Sequence, residues 1–82
     1  MTEIILTTDE RNHIDQISNF ELGVIMNNCA EGTVLTLSDA HLGRLYDILV
    51  EHGENTVILG VIDKILRRAN NKVIKPITIN QI

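Results

Sequence analysis

The sequence predicts a small, mainly α domain: four helices, with short extended segments toward the N- and C-terminal ends. Three observations predict it. Helix-capping residues stand just ahead of apolar stretches, at Thr7 or Thr8, Ser18, Ser38 and Asn55. Apolar residues then recur every three or four positions. The chain has 82 residues, 44% of them hydrophobic, and a single cysteine. That fits one core over residues 1–82, with no disulfide framework.

Glu3 to Leu6 is β-prone and forms the N-terminal extended piece. The first helix, over 8–17, has Glu10 three residues after Thr7, with Ile14 and Ile17 as its inward candidates. The second, over 19–30, follows Ser18-Asn19-Phe20-Glu21, which reads as a capping box with Ile17 and Leu22 as its staple pair. Its Leu22, Ile25, Met26 and Cys29 share one face, and Gly32 suits the left-handed residue after a helix end. Thr33 to Leu37 is again β-prone.

The third helix, over 39–52, follows Ser38, with Leu37 and Leu42 as staple. It carries Leu42, Leu45, Tyr46, Leu49 and His52 at helical spacing and stops at Gly53. The fourth, over 56–69, follows Asn55 and stops at Asn70 or Asn71. Its Val57, Ile58, Val61, Ile62, Ile65, Leu66 and Ala69 spread over roughly half the circumference. A stripe that wide faces more than one neighbour: this is the central helix, or part of it lies in an interface. Lys72 to Ile82 ends in the alternation Ile77-Thr78-Ile79-Asn80, and Pro76 restricts that stretch to a docking tail or an edge strand. It docks on its own domain, pairs with a second chain, or binds a target by strand addition. The extended pieces are compatible with a short two- or three-stranded patch.

Leu22-Gly23-Val24-Ile25 recurs as Leu59-Gly60-Val61-Ile62, 37 residues on, and at that offset Ser18 falls on Asn55. The four helices thus read as two degenerate helical hairpins. Glycine inside a helix costs about 1 kcal/mol relative to alanine, so close helix–helix approach is its expected use here.

Charge is divided. Residues 1–63 hold all 11 acids and only Arg11 and Arg44, a net of −9, whereas residues 64–82 hold Lys64, Arg67, Arg68, Lys72 and Lys75 and no acid. One reading is a basic patch for an acidic partner. The other is complementarity to the dipole at the end of the fourth helix. Five cations on an acidic domain, with one Phe, one Tyr and no Trp, argue against nucleic acid as partner. The division also suits head-to-tail self-association into a homo-oligomer.

Chemistry-bearing residues are sparse. His13, His41 and His52 are scattered and Cys29 is alone, which is not a zinc ligand set. A Cys29–histidine nucleophile pair is set against a thiol on the apolar face of a helix, where it is an inert hydrophobe. Asp47 and Glu51, one turn apart beside Arg44, read as solvated surface charges. No phosphate loop or dinucleotide fingerprint is present. The expectation is a non-enzyme without cofactor or metal. The segment Met1-Thr2-Glu3-Ile4-Ile5-Leu6 lacks the basic and apolar regions of a signal peptide. The longest apolar run, Val57 to Ile62, is far short of the roughly 20 residues of a membrane span. A cytoplasmic protein without membrane insertion is expected.

There are 13 Ile and 8 Asn, a bias toward AT-rich coding sequence as in many phages and low-GC bacteria. With its length, the absence of an export signal and the stretch Leu37-Ser38-Asp39-Ala40-His41-Leu42-Gly43-Arg44-Leu45-Tyr46-Asp47, the chain resembles the lysis-inhibition accessory proteins of T-even phages. These are cytoplasmic co-antiholins. The resemblance implies a non-enzymatic regulator that binds the cytoplasmic segment of the phage holin and helps a periplasmic antiholin delay lysis. It transfers no site residue by motif.

The sequence therefore predicts a regulator acting by protein–protein binding. Its partner surfaces are expected at the wide stripe of the fourth helix and at His41, Arg44, Tyr46, Lys64, Arg67 and Arg68. The alternatives are a small phage protein that binds a host transcription or defence protein, or a helical nucleic-acid-binding module.

Overall fold

Short side chains placed just before apolar segments set where the helices begin. The structure, a computed structural model, describes the backbone of residues 1–73 and the side chains of residues 1–68. The elements in order are β1 (Thr2–Ile5), α1 (Thr8–Asp15), α2 (Phe20–Cys29), β2 (Ala30–Glu31), β3 (Val34–Leu37), α3 (Asp39–Val50) and α4 (Thr56–Val73). The docking tail or edge strand expected over 72–82 lies, from residue 74 on, outside the described residues.

Thr7 caps α1 in a complete capping box: its hydroxyl accepts from the Glu10 amide while the Glu10 carboxylate accepts from the Thr7 N–H. Ser38 caps α3 by accepting from the His41 amide, and Asn55 caps α4 by accepting from Val57 and Ile58. The start of α2 differs from expectation. Asn19, not Ser18, is the cap and accepts from Leu22. No Ser18–Glu21 box forms: with Asn19 as cap, Leu22 takes the third helical position, and the Glu21 carboxylate bonds Arg44 on α3.

The mainly α four-helix domain with short extended ends, expected from the capping pattern, is overturned. Besides its four helices, the chain has a three-stranded antiparallel sheet in the order β1-β3-β2, so the fold is a small α+β one. Ala30, placed at the end of the second helix by the sequence, leaves it and with Glu31 pairs with Leu35 and Val34. Gly32 does not end a helix. It turns the β2–β3 hairpin, at φ 63°, as the first of two loop residues. The extended N-terminal piece becomes β1, paired with β3 from Thr2↔Leu37 to Ile5↔Val34. β1 is fixed by a pairing partner about 30 positions away in the chain, and not by local preference.

The sheet is one-sided. Thr2, Ile4, Leu6, Leu35 and Leu37 face inward and are buried; Glu3, Ile5 and Thr36 face outward and are exposed. The inner face carries the helices, α2 and α3 against β3 and α4 against β1. The core is continuous through Ile14, Leu22, Ile25, Met26, Leu45, Leu49, Ile58, Val61 and Ile65. α4 runs to Val73, through Asn70 and Asn71. Asparagine stops a helix by adopting the left-handed conformation, which no described non-glycine residue does.

The internal repeat does not correspond to equivalent structure. Leu22 is buried where Leu59 is exposed, and Val24 is exposed where Val61 is buried. The two tetrapeptides present different faces to the core. Their glycines differ too: a Cβ on Gly23 would meet nothing within 4 Å, whereas one on Gly60 would lie 3.3 Å from Glu10 Oε2. Only Gly60 serves the close approach expected of both.

Candidate functional site

Two of the six residues expected at a partner surface, Arg44 and Lys64, bridge elements of the fold. Arg44 is clamped by Glu21 through two hydrogen bonds of 2.6 and 2.8 Å, tying α3 to α2, with Asp47 at 3.4 Å. The paired hydrogen bonds and charge of Arg44 hold the Glu21 carboxyl below the usual carboxylate range, and Glu21 in turn raises Arg44. Lys64 reaches across from α4: its Nζ donates to Glu10 Oε1 at 2.5 Å and to the Ile5 carbonyl at 3.0 Å. Burial alone would raise the Glu10 carboxyl. The hydrogen bond and charge of Lys64, with the cap bonds of Thr7, outweigh it and leave the group below its ordinary value.

That lysine also closes part of a sheet edge. Leu6 N–H donates to Thr33 O, which extends the β1–β3 register and makes Thr2, Ile4 and Leu6 the residues bonded toward β3. Glu3 and Ile5 therefore direct their backbone groups to the outer edge of β1, and the Ile5 carbonyl is the group that Lys64 caps. Arg67 is paired with Asp63 at 2.9 Å, one turn back on α4. Arg68 is exposed, beside Arg67, Lys64, Ile4 and Ile5 around a cleft of about 200 Å³. Of the basic end, Lys64 and Arg67 are thus paired with acids of the body.

The expected residues do not converge. His41 lies in the first turn of α3, its Nδ1 3.6 Å from Cys29 Sγ. Cys29 ends α2 and His41 begins α3. A second cleft, of about 270 Å³, lies between the α1–α2 turn and the α3–α4 connection and includes His13, His52 and Glu54. Among the described residues no group of three or more His, Cys, Asp or Glu is placed to hold a metal.

Tyr46 belongs to a different surface, which the sequence reading did not assemble. The connection 51–55 is short and turns α4 back antiparallel to α3. Of the wide stripe on α4, Ile58, Val61, Ile62 and Ile65 are core. Leu59 and Leu66, two turns apart on one flank, remain 47% and 41% exposed. Leu59 leans toward the connection, since a Cβ on Gly53 would lie 3.8 Å from its Cδ2. From α3, Tyr46 is half-buried against the core, and Val50, one turn on, is 47% exposed. Tyr46 and Val50 on α3, with Leu59 and Leu66 on α4, are the partly or largely exposed apolar residues that make the seam of the α3–α4 hairpin. The acids of these two helices are partly engaged: Asp47 pairs with Arg44 on α3 and Asp63 with Arg67 on α4. The excess width of the α4 stripe was the signal for this surface. Which half of the stripe is covered depends on α1, α3 and β1.

No family model, no curated protein and no solved structure matches the chain. No helix among the described residues is long and apolar enough to cross a membrane.

Proposed function

We propose that the chain is a non-catalytic regulator that acts by binding another protein along the α3–α4 seam. The observation that carries this is the exposure of Val50 on α3 and of Leu59 and Leu66 on α4, large apolar side chains on the two helices of one hairpin that a partner would bury. The clustered position of the seam distinguishes it from Phe20, whose exposure on α2 is shared only with Val24. Following the resemblance to phage co-antiholins, the partner is the cytoplasmic segment of a phage holin, and the outcome of binding is delayed lysis.

Co-purification with a peptide of that holin segment tests the reading. Wild-type chain is retained by the peptide, and Leu59→Ser/Leu66→Ser, folded by circular dichroism, is not. Failure of the folded wild type to bind at high concentration, or retention of the double variant, refutes it. A nucleic-acid role gains little from the basic end, because Lys64 and Arg67 are occupied by Glu10 and Asp63.

A further inference from the structure

We infer that the outer edge of β1 receives an extended, acidic segment of a partner protein, a contact separate from the α3–α4 seam. β1 is an outermost strand of the sheet, and Glu3 and Ile5 direct their backbone groups away from β3. Lys64 takes the Ile5 carbonyl. The Glu3 N–H, the Glu3 carbonyl and the Ile5 N–H are left without a partner among the described residues. Donors and acceptors at the spacing of a ladder come from another extended backbone, so this edge takes a strand and not a helix.

The side chains beside the edge select its charge. Lys64 lines the cleft of about 200 Å³ while bonded to the Ile5 carbonyl, which sets that cleft against the edge. Its other lining residues are Ile4, Ile5, Arg67 and Arg68, with no acid. Lys64 is matched by Glu10 and Arg67 by Asp63, so neither selects an occupant. Arg68 does: it is exposed and has no acid partner among the described residues, and a guanidinium takes a carboxylate through two parallel hydrogen bonds. Side chains of an added strand alternate between faces. One set stands on the side of α4 and Arg68, the other beside Ile5, which is 56% exposed on the outer face. A segment alternating acidic and apolar residues meets both. Residues 74–82 hold Lys75 and no acid, and a second copy docked edge to edge would bring two basic clefts together, so neither has this chemistry.

A labelled peptide of about eight residues alternating valine and glutamate tests this. By fluorescence anisotropy at moderate salt it binds the wild-type chain, and its valine–lysine counterpart binds at least about tenfold more weakly. Arg68→Glu, folded by circular dichroism, lowers affinity for the glutamate peptide about tenfold or more. Asn12→Glu/Gln16→Glu, which changes net charge equally at exposed positions around the end of α1, leaves it within about twofold. Successive residues of a strand bond to opposite sides. Methylating the backbone nitrogens of the valines or of the glutamates therefore abolishes binding in one peptide and spares it in the other. Leu59→Ser/Leu66→Ser binds as wild type does, which keeps this contact distinguishable from the seam. No binding of the glutamate peptide, equal binding of the lysine peptide, indifference to both methylations, or unchanged affinity in Arg68→Glu overturns the inference. So does a loss of binding in the leucine variant, or a dimer of the chain that the peptide dissociates.

Discussion

Replacing Lys64 by methionine should destabilise the fold without touching the seam. The ammonium meets Glu10 at 2.5 Å and the Ile5 carbonyl at 3.0 Å, so one side chain joins α4 to the start of α1 and the end of β1. An ion pair in open solvent contributes about 0.2–1 kcal/mol. Losing one member of a fully buried pair costs about 3–5 kcal/mol. Here the carboxylate side chain is 11% exposed and the lysine 36%, so the pair lies between those limits. Discounting for screening at the lysine gives a loss of about 1.5–2.5 kcal/mol, close to one charge-assisted hydrogen bond. In a domain of this size that lowers Tm by about 8–15 °C. Methionine keeps most of the apolar stem, so the loss reports the head group. Urea denaturation of wild type, Lys64→Met, Glu10→Gln and the double variant should show coupling of at least about 1 kcal/mol. Arg68→Met, whose head has no carboxylate partner among the described residues, should stay within about 0.5 kcal/mol of wild type. A Lys64→Met loss below about 0.5 kcal/mol, or no coupling to Glu10, would refute the clasp as a source of stability.

Three other outcomes are expected. Because the Glu10 carboxyl is depressed below 4.5, its contribution is complete above that pH and disappears as pH falls through the folded value; urea midpoints between pH 7 and pH 3 should drop further in wild type than in Glu10→Gln. Gly23→Ala should stabilise α2 by about 0.5–1 kcal/mol, since its new Cβ meets nothing, whereas Gly60→Ala should gain distinctly less because the Cβ presses on Glu10 Oε2 at 3.3 Å; equal gains in thermal unfolding would contradict this. Among the described residues, Thr2 Oγ1 is the buried side-chain polar atom without a hydrogen-bond partner, so Thr2→Val should leave stability unchanged or raise it by about 1 kcal/mol, and a clear loss in denaturant midpoint would point to an unseen bond.

How far the fold could be read in advance depended on how local its causes are. A cap and the amide it serves are two or three residues apart, and the starts at Thr7, Ser38 and Asn55 follow directly from that. The stripe Leu22, Ile25, Met26 on α2 is equally local. The sheet is local only in part: β1 meets β3 about 30 positions on, whereas the near β2–β3 hairpin was missed because Gly32 suits a hairpin turn as well as a helix end. The expected site met the same boundary. Asp63 and Arg67 are one turn apart, and their pairing is visible in the spacing. Glu10 lies 54 positions from Lys64 and Glu21 lies 23 from Arg44, so cations that looked available in sequence are occupied in space. The exposed leucines could be listed in advance only as members of a stripe too wide for one neighbour.

The reach of Lys64 bears on the order in which the molecule assembles. It joins α4 to Ile5 and Glu10 across 59 and 54 positions, whereas the α3–α4 hairpin closes over a five-residue turn. Closing a long loop carries the larger entropic cost before any contact forms, so the hairpin precedes β1 and its clasp on the way to the native state. A contact made after the barrier governs how fast the chain comes apart more than how fast it forms. Loss of Lys64 should steepen spontaneous opening while leaving refolding nearly unchanged, a contrast that stopped-flow chevrons resolve.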